Sequence, residues 1–207
     1  MPAFDPAPIF FDQKRFSSDL NHQDPVQVFK NALNAANHHF HNRFNEGDEA
    51  HRLVRERAVF VDLMLQYAWK NYHWDPRICL VAVGGYGRGQ LHPFSDIDLL
   101  ILADKSIARN CKKSIEQYLA FLWDARLQIS HSVRSVRQCV AAAKKDITIA
   151  TNLMETRLIC GDSSRHQKLL HATGPDQIWS SADFYAGKLR EQRERHKKHD
   201  DTEYNLE

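Results

Sequence analysis

No stretch of the 207 residues approaches the ~20 consecutive apolar side chains that cross a bilayer. The first residues, Met1 to Pro6, carry neither the basic start nor the apolar segment of a secretion signal. These absences predict a cytoplasmic protein with no membrane partner. Charge of one sign is missing too: 28 Lys and Arg stand against 26 Asp and Glu, and the net +2 is too small to call for nucleic acid. Only four cysteines occur, Cys79, Cys111, Cys139 and Cys160, with no CxxC pair and no histidine at zinc-finger distance, so reduced, buried thiols are expected. No segment recurs at a fixed period, which excludes a repeat array.

What is present is a run of helices enclosing short apolar strands. Residues 1–24, with Pro2, Pro6 and Pro8, show no regular apolar period and read as a flexible arm. Asp24-Pro25 is a helix start, a capping carboxylate before proline at the first helical position, and Val26, Phe29, Leu33 and Ala36 follow at helical spacing. After the turn at Asn45-Glu46-Gly47-Asp48, the stripe from Leu53 through Trp69 predicts a long helix ending before Pro76. Residues 78–83 and 97–102 are continuous apolar runs of strand length. Between them and an alternating strand over 126–134 lies a helix capped by Ser106, with Cys111, Ile115, Leu119 and Leu122 on one face. Residues 135–200 read as helical, broken near Gly161 and at Gly174-Pro175. The domain reading is an arm over 1–24, helices over 25–76, an α/β core over 77–145 and a helical segment over 146–207.

The chemistry concentrates in Val83-Gly84-Gly85-Tyr86-Gly87-Arg88-Gly89-Gln90-Leu91-His92-Pro93-Phe94-Ser95-Asp96-Ile97-Asp98-Leu99-Leu100-Ile101. Glycines directly after a buried strand let backbone N–H groups approach a ligand and form an anion-binding nest. Arg88 can add a permanent charge for a phosphate oxygen. Asp96 and Asp98, two apart at the start of a strand, point to the same face roughly 7 Å apart at the backbone, with room for a hard cation such as Mg²⁺. A dinucleotide fingerprint is excluded, since Gln90 stands where its third glycine belongs and Pro93 keeps the loop from opening a helix. A P-loop is excluded because no Gly-Lys-Ser/Thr follows.

Gly84-Gly85, a spacer and Asp96-Ile97-Asp98 together resemble the signature of the DNA polymerase β-type nucleotidyltransferase superfamily. The fuller set resembles the PII-protein uridylyltransferase/uridylyl-removing family: Gly-Gly-Tyr-Gly-Arg-Gly, Leu91-His92-Pro93, Leu122-Trp123-Asp124, His131-Ser132-Val133-Arg134, Ala150 through Leu158 and the terminal Tyr204-Asn205-Leu206-Glu207. The resemblance implies an α/β (α+β) fold with a small mixed sheet, flanked by N-terminal helices and a C-terminal helical lobe. It implies transfer of UMP from UTP to a tyrosine of the PII signalling protein, with release of pyrophosphate. Asp96 and Asp98 would be the catalytic pair and the ligands of Mg²⁺, with Mn²⁺ as a substitute, while Gly84, Gly85, Arg88 and Ser95 would meet the nucleotide phosphates. It also implies that the family's later domains are missing here.

Two departures keep a second reading open. Superfamily members usually add a third carboxylate from a neighbouring strand, but 126–134 contains no acid, and Gln128 and Gln90 stand where acids are expected. A glutamine amide neither neutralises a cation nor takes a proton usefully. Asp124 is a weak substitute. The alternatives are a catalytically incomplete nucleotide-binding or protein-interaction fragment, or a transferase with another acceptor. His92, His131, the pairs His38/His41 and His196/His199, and the tryptophans Trp123 and Trp179 read as structural or incidental.

Overall fold

The computed structural model describes residues 10–174 and 177–198. Three helices open the described chain. The first, α1 (Gln13–His22), lies where the sequence shows no apolar period; Asp12 caps it, accepting from the amides of Lys14 and Arg15 at 3.0 Å each. A helix this short is marginal alone. It is held by Phe16, which is buried and meets Phe29 and Tyr67 edge-to-face at 5.2 and 5.1 Å. The arm expected over 1–24 is therefore helical in its second half, while residues 1–9 lie outside the described set.

Asp24 caps α2 (Pro25–Asn45) as the sequence predicts, and Val28, Phe29, Ala36 and Phe40 are its buried face. Helix α3 (Ala50–Trp69) is more deeply enclosed, with nine buried residues from Leu53 to Trp69.

The sheet contains β1 (Cys79–Ala82), β2 (Ile97–Leu102), β3 (Ile129–Arg134) and β4 (Arg157–Gly161) in the order β3-β2-β1-β4. Strand β1 runs antiparallel to both β2 and β4, whereas β2 and β3 are parallel. Strands that run the same way need a crossover. Here α5 (Lys105–Asn110) and α6 (Lys112–Asp124) supply it. The helix expected from Ser106 is thus two helices that begin after Asp104 and break at Cys111, although the predicted face is buried.

Alternation along the strands divides the core in two. Leu80, Ala82, Ile97, Leu99 and Ile101 pack with α2, α3 and α6, while Cys79, Val81, Leu100 and Leu102 pack with residues of α7 (Val136–Ala143), α8 (Ile147–Met154) and α9 (Ser163–Thr173). The C-terminal part is not wholly helical, because β4 crosses it before α9 and α10 (Ser181–Lys198). Trp179 is half-buried against the second cluster, but Trp123, expected in the interior, is 51% exposed.

Candidate active site

Strand β1 delivers the chain into a one-turn helix, α4 (Gly84–Gly87), so the glycine segment does turn helically despite Pro93 further on. Two glycines are needed there for different reasons. Gly84 has a φ of +59°, the left-handed region that favours glycine, and a Cβ on it would stand 3.3 Å from Asn152 Oδ1 and 3.8 Å from Asp98 Oδ2. Gly87 is pressed so closely on the carbonyl of Glu155 that a Cβ would come within 1.9 Å of its oxygen.

A buried network fixes this turn from behind. The hydroxyl of Tyr86 donates to Asp62 of α3 at 2.5 Å, and Arg157 of β4 forms an ion pair with the same carboxylate. Arg157 also donates to the Tyr86 carbonyl at 3.2 Å and lies over the Tyr86 ring. Burial works against the guanidinium charge and Asp62 more than offsets it, so Arg157 is held above its ordinary pKa.

Asp96 is exposed and stands just before β2, whereas Asp98 is the second residue of the strand and half-buried. Asp98 shares a strand face with Leu100 and Leu102, towards α8 and Gly84. Burial raises the pKa of its carboxyl, the hydrogen bond from Ser130 lowers it, and the negative charge of Asp96 raises it again; the net direction is up. Ser130 is the residue of β3 paired with Asp98 in the parallel register. A serine, with Gln128 one position before the strand, occupies the place beside the carboxylates where a third acid was expected. Among the described residues no group of three His, Cys, Asp or Glu side chains is placed to hold a metal. Asp124 ends α6 and is exposed.

The structure thus places Asp98 beside Gly84, with Asp96 near enough to Asp98 for its charge to act on it. Gly85 adjoins Arg88, since a Cβ on it would lie 3.6 Å from a guanidinium nitrogen. Arg88 forms an ion pair with Glu155 and its Nε donates to Gln90 at 3.3 Å, with 48% of its side chain exposed. Ser95 is turned into its own loop, its hydroxyl donating to the His92 carbonyl at 2.9 Å. Asn152 and Ser130 were not foreseen. Asn152 lay inside the quoted Ala150–Leu158 match, so its segment had a signal but its position beside Asp98 did not. His38, His41 and His131 are exposed, and His199 lies outside the described residues.

Residues 70–144, which include the glycine turn, Asp96 and Asp98, match the family described as a nucleotidyltransferase domain. The whole chain is 46% identical over 210 aligned positions to the bifunctional uridylyltransferase/uridylyl-removing enzymes of Pseudomonas aeruginosa PAO1, Pseudomonas fluorescens Pf-5 and Ectopseudomonas mendocina ymp. It belongs to that family and corresponds to its N-terminal region. It spans 23% of the length of these curated relatives. Among solved structures, a toxin–antitoxin protein crystallised with AMP-PNP aligns at 16% identity, covering 68% of this chain and 96% of that one. Its TM-score of 0.30 is too low to carry an argument. No helix among the described residues is long and apolar enough to cross a membrane.

Proposed function

We propose that the chain is a metal-dependent transferase that moves UMP from UTP to a tyrosine of a PII-type signalling protein in the cytoplasm, releasing pyrophosphate. The observation that carries this reading is the place of Asp98 beside the glycine turn at Gly84, with Asp96 two residues before it. Burial and, to a smaller extent, the charge of Asp96 raise the pKa of Asp98, so a negative charge on Asp98 is held at a cost. A dication bound there would balance it. Mg²⁺ suits a donor set of two carboxylates, because it is commonly held by one or two such groups with substrate phosphates and water completing the shell; Mn²⁺ accepts the same oxygen donors.

The bound ion would neutralise phosphate charge and orient the reacting oxygens. The chain's own residues do the rest. Backbone amides at Gly84 and Gly85 cradle the phosphates, and Arg88 adds a positive charge that Glu155 holds beside Gly85. Ser95, bonded to the His92 carbonyl, shapes the turn that delivers Asp96 and stands next to the phosphates. The tyrosine oxygen bonds to the α-phosphorus, the bond to pyrophosphate breaks, and the tyrosine proton passes to a carboxylate or to water.

A second reading is favoured by Ser130 and Gln128, the non-acidic residues beside the carboxylates: a nucleotide-binding module that turns over only with groups beyond this chain. Incubation with labelled UTP, Mg²⁺ and a PII protein separates the two. Label on a PII tyrosine, absent when Asp96→Asn and Asp98→Asn are combined, supports transfer. Mg²⁺-dependent UTP binding without label supports the module, and full activity in the double variant would remove the carboxylates from the site.

A further inference from the structure

A cavity of about 850 Å³ opens between α2, α3, the loop 91–95 and the entry to β3. It is separate from the carboxylate cleft: Ile97 lines it, and Asp98, the next residue of β2, points to the opposite side of the sheet. It is a groove of one charge. Lys30, Arg57 and Arg126 line it together with His38, His41 and His92, and among the described residues no Asp or Glu does, although 26 of the 207 residues are acidic.

Arg57 is the informative cation. Arg43, Arg157 and Arg165 each face a carboxylate within the fold. Arg57 instead donates to the side-chain carbonyl of Asn37 at 2.7 Å, and its buried Nε has no partner among the described residues. Burial lowers its pKa. A half-buried guanidinium without a counter-charge is costly, and an arriving carboxylate would remove that cost.

The rim is unusual as well. Phe94 is 94% exposed and has a φ of +65°, at the position after Pro93 in a turn where glycine or asparagine is the common choice. A large aromatic side chain held there, strained and fully in water, contributes nothing to the core. Phe44 on the opposite rim is 58% exposed. Exposed aromatic residues bordering a concave surface are what a protein partner anchors on.

We propose that this groove docks the acceptor protein, taking an apolar segment that carries a carboxylate, with the carboxylate on Arg57 and the apolar side chains against Phe94 and Phe44. The inference rests on the reading of the cleft as a protein-modifying transferase. Its placement suits that role: Ser95 and Gln128 are among its lining residues, Asp96 follows Ser95, and the Ile97 amide donates to the Gln128 carbonyl at 2.8 Å. A partner seated there needs only to pass round the start of β2 to present a hydroxyl at the carboxylates.

The test is calorimetric titration of the 207-residue chain with a PII-type protein in the absence of nucleotide, for the parent, Phe94→Gly and Arg57→Gln. Mg²⁺-dependent UTP binding is measured in parallel on the same samples. Glycine accepts the backbone of position 94 without strain, so that variant stays folded whatever Arg57→Gln does. The expected result is a Kd for the acceptor at least about 10-fold higher in each variant, the loss of about 1.4 kcal/mol, with UTP affinity unchanged. Equal acceptor affinity in parent and variants overturns the proposal. So does a parent that binds UTP but not the acceptor, a result that leaves the nucleotide reading standing; a parent that binds neither overturns both. A concentration-dependent dimer abolished by Phe94→Gly would overturn it in favour of a second copy of the chain.

Discussion

At the scale of single residues, the charges around the cleft fall into two kinds. Asp62 and Arg157 are half-buried and paired with each other, which ties α3 to β4. Asp96 and Asp98 are two carboxylates two residues apart, and the proposed function gives them the metal. His166 belongs to neither pair but reports on the same region: it is 8% exposed, its Nε2 lies 3.1 Å from the Thr156 hydroxyl, and burial lowers its pKa from the ordinary 6.5. A histidine whose pKa is lowered on folding favours the native state fully above its unfolded value and progressively less as pH falls through about 6.5, because the unfolded chain takes up the proton first. Urea unfolding of the parent should therefore show lower stability at about pH 5.5 than at about pH 7.5, with a smaller difference in His166→Gln. An identical pH dependence in the two would exclude His166 as its source.

At the scale of elements, the site depends on β4 and α3 gripping the one-turn helix between them. Replacing Asp62 with Asn leaves the half-buried Arg157 without a counter-charge and Tyr86 with a weaker acceptor. The expected loss is about 3–5 kcal/mol of unfolding free energy, read from urea denaturation. A loss below about 1 kcal/mol would mean that Arg157 finds water or another partner. Strands β1 and β2 were legible in the sequence because each is a continuous apolar run, and the glycines with Asp96 and Asp98 were legible because their spacing is local. Strand β4 was not: Arg-Leu-Ile-Cys-Gly is five residues long, and only its pairing with β1, some eighty residues earlier, makes it a strand. Helix α1 was missed for a similar reason, since Phe16 gains its value from Phe29 and Tyr67. Ser130 reaches Asp98 through β3 and Asn152 reaches Gly84 through α8, so no local pattern could place them there.

At the scale of the whole molecule, the sheet separates two tasks. The face towards α7, α8 and α9 carries Asp98 and the glycine turn, and the proposal assigns it the nucleotide. The face towards α2 and α3 carries the cationic groove, and the further inference assigns it the protein acceptor. Both meet at the start of β2, where Ser95, Asp96 and Ile97 connect groove to cleft. UTP affinity measured by calorimetry, with and without Mg²⁺, for the parent and for Asp98→Asn, tests whether Asp98 holds a metal for the nucleotide. Binding that needs Mg²⁺ and weakens at least about 10-fold in the variant, a loss of about 1.4 kcal/mol, is expected. Equal affinity in all four conditions would contradict it.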